Sequence, residues 1–554
     1  MLFRSWLTVC RTAFSLVISE SQDFASEILS PEGETLAHSP RAMPVFNLTL
    51  PRAVKALLER FPACTLQEGD VLITNDPWLC AGHLFDIAVV TPVFLDGRVV
   101  GLLGTVGHVS DIGGTKDALR AREIYEEGLQ IPPMKLVEAG RINETLVALL
   151  LQNVRNGEQV LGDIHSFVTA NAMGGERLVA FMRDYGMQDL AALAEVVQSR
   201  SERAMREAIM RVPDGVYESV MWSNPLGTPM RFPVRVTVAG DGIEIDFEGA
   251  PAQLAQGGLN STLNYTEAHA TYPLKCMLTP GVRGNAGCYR PFTVKAPKGS
   301  ILNCEYPASV AIRTRTGWYI APNIFQALAN AAPAQVQAFT GLPVAMTVYG
   351  QDAAGATYSD MLFSGGGQGA NAGSDGKSGL LYPTSAANTS IEMIETRAPI
   401  VVVEKAFVVD SGGPGRFRGG MAQRVRLRKR DEDAMPMLVS VYPEGVSLHI
   451  AGLHGGRSGM TARGVVQDAA GQIVHDCGAG ELVTLTRTDQ FVELTLAGGS
   501  GYGDPRTRSP SDVAHDVAMG WITPQSATQD YGQASAVRPG DGVRAATAQT
   551  LATS

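Results

Sequence analysis

Three residues of metal-binding type, His83, Asp86 and His108, stand close together in the sequence. The first two precede an apolar, β-branched run in the stretch NDPWLCAGHLFDIAVV at 75–90. Two imidazoles and one carboxylate can hold a divalent metal ion and leave coordination positions open for water or a substrate. A bound metal ion lowers the pKa of its water towards roughly 7, which makes hydroxide available at neutral pH. The residue types therefore indicate a hydrolytic metal centre.

A predicted β-hairpin explains how these residues could meet. Ile87–Phe94 and Arg98–Val106 are predicted strands, and an Asp-Gly turn at 96–97 joins them. A two-residue turn fixes the register of its strands, so that Asp86 faces Gly107. Residues that face each other have Cβ atoms roughly 4.5–5.5 Å apart. The two histidines lie just beyond the strand ends and are therefore expected near the carboxylate.

The metal site also requires a β-bulge. In the perfect register His108 points to the face opposite Asp86, because side chains alternate along a strand. One extra residue in 98–107 would turn it to the same face, and the glycines at 101, 104 and 107 favour a bulge there. In the alternative interpretation the three are polar strand-end residues that hydrogen-bond to backbone groups, which is the commoner situation for a single histidine.

Three further residues lie beside this set in the sequence. Asp76 and Asp111 are candidates for orienting the imidazoles through hydrogen bonds, or for a direct catalytic role. Cys80 could add a thiolate ligand to the metal ion, although packing in the core is the simpler interpretation.

Two glycine-rich segments match known motifs only in part. FSGGGQGANAGSDGKSG at 363–379 ends like a phosphate-binding loop, but Asn371 replaces the first glycine and no helix pattern follows Ser378. We therefore exclude an ATP site there and expect a loop, either flexible and near the active site or a subunit interface, or on the plain surface. DSGGPGRFRGG at 410–420 is interpreted as a structural turn whose glycines adopt positive φ.

Helical periodicity is concentrated in the first half of the chain. Helices are predicted at 141–155, 158–185, 189–212 and 264–277. Around the turn at 240–242, a hairpin joins VRVTV to IEIDF. Arg155 and Asp163 are expected to form a buried ion pair that braces a helix. An amphipathic N-terminal helix is expected to bury four residues, Trp6, Leu7, Cys10 and Phe14.

These elements predict an α+β, mixed multi-domain fold. It has an N-terminal helix and hairpin region with the metal-bearing hairpin, central helices, and a β-rich, Gly-rich C-terminal half. The 554 residues exceed what one hydrophobic core holds. We expect an α/β metal-binding region at 1–185, a helix and hairpin module at 186–257, a β-rich region at 258–505, and a C-terminal helix with a disordered tail at 506–554.

The composition excludes several classes of protein. A net charge of −10 and a pI near 5.5, without a basic stripe, argue against nucleic acid as a partner. The chain has no run of about 18 apolar residues, so no membrane span is predicted. Seven cysteines, an odd number without CxxC spacing, favour reduced thiols and a cytoplasmic protein.

Several segments resemble motifs of the hydantoinase B/5-oxoprolinase family, which includes the acetone carboxylase α subunit. NDPWLCAGHLFD at 75–86 is similar to its NDPYxGGTHLPD signature, and GHVSDIGG at 107–114 is similar to its GHHADIGG. Other matches follow in order along nearly the whole chain, among them EIYEEGLQIPPMKL at 123–136, NAGCYRPFTVKAPKGSILN at 285–303 and GGSGYGDP at 498–505.

The resemblance implies a metal site, a partner and a reaction. The family's ligands match His83, Asp86 and His108, and zinc, manganese and iron suit such a set. A hydantoinase A-type, ATP-binding partner would phosphorylate the substrate oxygen, and this chain would supply the metal-activated water that opens the ring. We therefore predict one subunit of a hetero-oligomeric, ATP-dependent cyclic amidase acting on a hydantoin, oxoproline or another lactam. The alternatives are a subunit of an ATP-dependent ketone carboxylase and a non-catalytic binding subunit.

The chain departs from the family pattern at three histidines. The second histidine of GHHADIGG is Val109 here, and the two histidines of the family's HIPVHLGSM are replaced at Met43 and Phe46. The family's SPNIKERRDFS reads SLVISESQDFA at 15–25, which removes basic residues. These differences predict an intact fold with an altered substrate or activity.

Overall fold

The computed structural model describes residues 2–432, 435–443, 445–446 and 448–533. The predicted disordered tail lies almost wholly outside these residues. Within them the chain forms four sheets with helices between and around them. The predicted α+β, mixed multi-domain fold is confirmed. No helix in the described part of the chain is long and apolar enough to cross a membrane.

The first sheet carries the predicted metal hairpin. Its seven strands are β1 (Phe24–Leu29), β2 (Thr35–His38), β3 (Val71–Thr74), β4 (Asp86–Leu95), β5 (Arg98–His108), β6 (Met134–Glu138) and β7 (Arg141–Ile142). They lie in the order β2-β1-β5-β4-β3-β6-β7, and all neighbours are antiparallel. The hairpin β4–β5 is thus at the centre of the sheet, and its strands are buried on both faces.

Helices cover both faces of this sheet. They are α1 (Leu2–Thr12), α2 (Leu16–Ser19), α3 (Phe46–Arg60), α4 (Glu144–Asn153) and α5 (Gly157–Asp184). The apolar side of α3 packs on one face, and α5 packs on the other. Two glycines let α5 approach closely, because a Cβ on Gly174 would lie 3.1 Å from Leu103 and one on Gly175 would lie 3.3 Å from Val93. The helices therefore hold the hairpin between two packed layers.

The N-terminal helix differs from its prediction at one residue. Trp6 is buried as expected, and Leu7 and Cys10 pack against the same core. Phe14 is 56% exposed, because α1 ends at Thr12 and the ring then lies against the outer surface of α5 at Gly162.

The second sheet is smaller and takes its strands from two parts of the chain. Its strands are β8 (Gly215–Ser223), β9 (Met230–Ala239), β10 (Gly242–Asp246) and β11 (Phe292–Lys295), in the order β11-β10-β9-β8. The predicted hairpin is β9–β10, in which Ala239 pairs with Gly242. Four helices follow the first five, namely α6 (Ala191–Ile209), α7 (Leu263–Leu278), α8 (Thr314–Gly317) and α9 (Ile320–Ala327). Three of them, α6, α7 and α9, enclose one core with this sheet.

The remaining strands form two antiparallel sheets. They are β12 (Val344–Gln351), β13 (Thr357–Ser364), β14 (Ile400–Phe407), β15 (Gln423–Lys429), β16 (Met437–Val441), β17 (Arg463–Gln467), β18 (Ile473–Asp476), β19 (Glu481–Leu485) and β20 (Phe491–Thr495). The third sheet has the order β13-β12-β16-β19, and the fourth has the order β14-β15-β20-β17-β18. Three short helices complete the described chain, α10 (Ile391–Arg397), α11 (Pro510–Ala518) and α12 (Pro524–Gln529). Met361 and Phe363 of β13 belong to the same core as the first sheet, so these two sheets are joined.

The glycine-rich segments pack backbone against backbone. Gly367 N donates to Ala497 O (3.1 Å), Gly420 N to Gln368 O (2.8 Å) and Gly499 N to Gly420 O (2.9 Å). A Cβ on Gly367 would lie 1.9 Å from the carbonyl oxygen of Gly420. We call these segments, 365–369, 411–420 and 497–501, the glycine layer.

The glycine layer corrects two sequence predictions. The stretch 363–379 begins as strand and continues through largely buried residues, so the plain surface alternative is wrong for its first half. Phe363 lines the cavity, and a flexible loop near the active site or a subunit interface stays a prediction. The glycines at 410–420 are not among those with positive φ. They are glycines because the backbone of other segments of this chain approaches too closely for any side chain.

Candidate metal centre

The hairpin brings the three predicted ligands to one end of the first sheet. Asp86, the first residue of β4, pairs directly with His108, the last residue of β5. The register changes between Val93, which faces Gly101, and Phe94, which faces Val99, so Val100 is the extra residue of a bulge. The predicted bulge is therefore confirmed, and it turns His108 to the face of Asp86.

The three side chains converge on one carboxylate oxygen. Asp86 Oδ1 lies 2.9 Å from His83 Nε2 and 3.2 Å from His108 Nδ1. One ligand atom from each residue lies within 4.8 Å of the others. Asp86 is fully buried and His83 is almost so. The ring of Phe85 stacks on His108 with centroids 5.3 Å apart, which fixes the plane of that imidazole.

Arg313 holds the other oxygen of Asp86. Its Nη2 donates to Asp86 Oδ2 at 2.6 Å, and its Nε donates to Ala81 O at 2.8 Å. Tyr265 lies under the guanidinium, 4.2 Å from ring centroid to Cζ. Burial alone would raise the pKa of Asp86, but the interactions with His83 and Arg313 and the hydrogen bonds outweigh it and hold that pKa well below its usual value. Asp86 therefore presents Oδ1, as an anion, to both imidazoles.

The hydrogen bonds of His83 make it a suitable metal ligand. Its Nδ1 lies 2.9 Å from Ala311 O, and a carbonyl can only accept, so Nδ1 carries the hydrogen and Nε2 carries a lone pair. Nε2 is buried and has no hydrogen-bond partner among the described residues, and the same is true of His108 Nε2. A lone pair that faces a carboxylate oxygen at 2.9 Å is unfavourable unless a cation lies between them. The residues present thus fit a divalent metal ion.

Asp23 is a site residue that the sequence prediction missed. It precedes β1, and its backbone carbonyl accepts from His108 N at 3.0 Å. Its carboxyl group is buried, and Oδ1 has no hydrogen-bond partner in the described structure. Burial raises the pKa of Asp23 to about 7, although the nearby His108 opposes this shift. A signal was present, because Asp-Phe at 23–24 is the part of SLVISESQDFA that keeps the family pattern.

A cavity of about 180 Å³ opens in front of the three ligands. An engineered apolar cavity of about 150 Å³ is large enough to bind benzene, so this one admits a single small ring. Its lining is mainly apolar and aromatic, and it includes Met43 and Phe46, of which Phe46 stands where the family pattern has a histidine after Pro-Val. Among its polar lining residues are Asp23, Lys116, Glu127, His269 and Arg315.

Asp76 and Asp111 contact neither imidazole. Asp76 Oδ1 accepts from Trp78 N at 2.9 Å and so stabilises the turn before His83. Asp111 accepts from Arg155 Nη1 at 2.6 Å. The predicted orienting role is thus filled by other groups, namely the Ala311 carbonyl and Asp86. A direct catalytic role of the two aspartates stays a prediction.

The predicted ion pair between Arg155 and Asp163 is wrong. Arg155 pairs with Asp111 instead. Asp163 Oδ1 accepts from the backbone N–H groups of Phe14 and Ser15, at 2.7 and 3.0 Å. The carboxylate of Asp163 therefore ties the N-terminal segment to α5.

Cys80 and a group of residues around Cys477 are the further possible metal ligands to consider. Cys80 is fully buried in an apolar cluster and does not belong to the group of ligand atoms formed by His83, Asp86 and His108, so the thiol packs in the core. The described residues contain a second group of ligand types, His475, Cys477 and Glu481, near the turn between β18 and β19. It lies outside the cavity lining, and His475 is half exposed.

Comparisons with known proteins identify the relatives of this chain. A family model described as hydantoinase B/oxoprolinase matches residues 5–505. A protein assigned as the B component of a D-/L-hydantoinase, from a Pseudomonas species, is 28% identical over 557 residues, which covers 95% of this chain and 91% of that protein. The crystal structure of ATP-dependent caprolactamase from Pseudomonas jessenii matches with a TM-score of 0.86 and 26% identity, over 98% of this chain and 95% of that one. A nucleotide-free structure of acetone carboxylase, 18% identical, shares the fold with a TM-score of 0.84 over 100% of this chain and 81% of that one.

Proposed function

The chain belongs to the hydantoinase B/oxoprolinase family, and on that premise we propose that it is the metal-dependent subunit of an ATP-dependent cyclic amidase. Its substrate is a hydantoin, an oxoproline or another lactam. Its partner is a hydantoinase A-type subunit that binds ATP. The relatives support the reaction class, because one is assigned as the B component of a hydantoinase and another is an ATP-dependent caprolactamase.

One observation carries the proposal. Two imidazole nitrogens and one carboxylate oxygen converge, buried, at the wall of a cavity that admits a single small ring. Such a set suits zinc, manganese or iron. A divalent metal ion held by His83, Asp86 and His108 would supply Lewis acidity, which polarises a carbonyl and lowers the pKa of water towards roughly 7.

The chain's own residues position and protonate the reacting groups. Arg313 fixes Asp86, and the Ala311 carbonyl fixes His83, so the ligand atoms are preorganised. Asp23 lies in the same cavity with a pKa of about 7. A buried carboxyl group with a raised pKa in this cavity is the candidate general acid–base group. The apolar walls restrict water near the substrate ring.

ATP chemistry is assigned to the partner. The segment at 371–378, which partly matches a phosphate-binding loop, does not lead into a helix. Phosphorylation of the amide oxygen makes the ring carbon more electrophilic, so that water can add to it. The C–N bond then breaks as the nitrogen takes up a proton, and hydrolysis of the resulting acyl phosphate releases the acid and inorganic phosphate, which explains why ATP is consumed on an unreactive amide. The cavity of this chain would then receive the activated ring.

Metal content tests the site directly. His83→Ala should remove one equivalent of bound metal and abolish ATP-dependent ring opening in the complex with the partner, while partner binding persists. The matched control is the double variant His475→Ala/Cys477→Ser, which removes the other ligand group and should keep the activity. Retention of metal and full turnover by His83→Ala would remove the site assignment.

The same assay separates the alternatives. Lactams and ketones are supplied with ATP, with and without bicarbonate, and products are identified. Ring-opened acid supports the amidase. Bicarbonate-dependent carboxylation of a ketone would show instead that the chain is a subunit of a ketone carboxylase. A wild-type complex that binds no transition metal and turns over neither class would favour a non-catalytic binding role.

A further inference from the structure

His269 is a buried histidine in the cavity that the metal site does not use. It lies on α7, is 1% exposed, and lines the same cavity as His83, Asp86 and His108. Neither of its ring nitrogens has a hydrogen-bond partner among the described residues. Burial, assisted by the charge of Arg313, lowers its pKa to about 3, so the imidazole is neutral. A neutral imidazole has one N–H donor and one acceptor nitrogen, and both are unused here.

The ring of His269 is held in place on α7 by aromatic neighbours. Tyr265, one turn earlier, lies 4.5 Å away between ring centroids, and Tyr272 lies 5.7 Å away. Gly317 of α8 leaves room for the ring, because a Cβ there would come within 3.3 Å of His269 Cδ2. The imidazole is thus packed by apolar surfaces while its polar atoms remain unpaired. Leaving a buried polar atom unpaired is costly, so a ligand is the natural partner.

The position of His269 relates it to the metal ligands. The ring of Tyr265 contacts both His269 and Arg313, and Arg313 binds Asp86. The two polar centres therefore stand at separate places on the wall of one cavity of about 180 Å³. A single small ring in this cavity can place its reacting amide at one centre and a second polar group at the other.

We propose that His269 is a specificity-determining residue that hydrogen-bonds to a second amide-type group of the substrate, so that the site prefers a cyclic ureide or imide to a plain lactam. The inference rests on the proposed function. A hydantoin ring carries a second N–H and C=O beyond the amide that reacts, and these match the acceptor and donor of a neutral imidazole. A plain lactam has only the reacting amide and leaves His269 unpaired. Sites that hydrogen-bond a substrate group reject analogues that lack it.

Two rings of equal size test the proposal. Hydantoin and 2-pyrrolidinone are compared as substrates of the metal-loaded complex with its ATP-binding partner. His269→Phe should lower kcat/KM for hydantoin by roughly 10- to 100-fold, mainly through KM, and should change the value for 2-pyrrolidinone little. His269→Gln, which retains a donor and an acceptor, should recover part of the loss. The exposed His165 of α5 gives the control variant His165→Phe, which should behave as wild type.

Binding without turnover separates this inference from the proposed function. Calorimetry measures hydantoin binding to the wild type and to His269→Phe, and thermal unfolding verifies that the variant folds. If wild type turns over neither ring nor any other lactam of the screen, the proposed function fails, and weaker hydantoin binding by the variant still supports the inference. Equal losses for both rings, no loss for either, or the absence of hydantoin binding to the wild type would overturn it.

Discussion

At the residue scale, the convergence of the three candidate ligands could be predicted because their chemistry and their spacing lie in one hairpin. Asp86 and His108 are brought together by a turn and a bulge that both leave signals in the sequence. Arg313 and His269 could not be found in this way, because they approach from the segment before α8 and from α7, more than 150 residues further along the chain. Asp111 has Arg155 as its partner and not an imidazole, since the partners of charged residues depend on packing.

Glu127 helps to orient His83 through the backbone at 310–311, and its titration gives a prediction about pH. Its Oε1 accepts from Val310 N and Ala311 N at 2.8 and 2.9 Å, and the Ala311 carbonyl orients His83. Burial raises the pKa of Glu127 from its usual 4.5 to about 8. Between these two pH values the folded state binds a proton that the unfolded state has released, so stability falls as pH rises from 4.5 to 8.

Glu127→Gln should remove this part of the pH dependence. The glutamine keeps an acceptor oxygen for the two backbone N–H groups and cannot lose a proton. Its stability relative to wild type should therefore increase from pH 5 to pH 8.5, and each pKa unit corresponds to about 1.4 kcal/mol. Urea denaturation at several pH values measures this, with the exposed Glu158→Gln as a control of equal charge change. A constant difference across the range would contradict the prediction.

At the element scale, local patterns predicted the hairpins and most helices. The helix expected at 158–185 is Gly157–Asp184, and the hairpin around 240–242 is β9–β10. The glycine layer was missed, because each of its segments reads as a turn when taken alone. The constraint that selects glycine is the backbone of another segment, and only the assembled fold supplies it.

Two glycines of the stretch 363–379 test that explanation: Gly367 belongs to the glycine layer, and Gly373 lies outside it. Gly367→Ala would place a Cβ 1.9 Å from Gly420 O, which is backbone and cannot move aside, so a loss of about 1–3 kcal/mol or more is expected. Gly373→Ala meets only the Asn371 side chain, at 3.7 Å, and Gly373 does not have positive φ. Its effect should stay within about 0.5 kcal/mol. Denaturant midpoints compare the two, and equal effects would show that close packing is not the reason for glycine here.

At the scale of the whole molecule, the cavity is a joint product of distant parts of the chain. Its wall takes Asp23 from the start of β1, Arg313 from the segment before α8, Phe363 from the third sheet and Tyr442 from the segment after β16. Met361 and Phe363 of the third sheet share a core with the first sheet, which bears the candidate ligands. If the first sheet unfolds, these apolar side chains of the third sheet become exposed. Metal binding at the hairpin is therefore expected to stabilise the third sheet as well as the first.

Thermal unfolding with and without metal tests this coupling. A cation at 100 times its dissociation constant stabilises the folded state by about 2.7 kcal/mol if it does not bind the unfolded chain. Because the first and third sheets share a core, the main unfolding transition of the wild type should move upward as a whole when zinc or manganese is added to chelator-treated protein. His83→Ala should show no such movement, whereas His475→Ala/Cys477→Ser should respond as wild type. If calorimetry instead shows a small early transition that alone responds to metal, the site belongs to a part of the chain that unfolds independently.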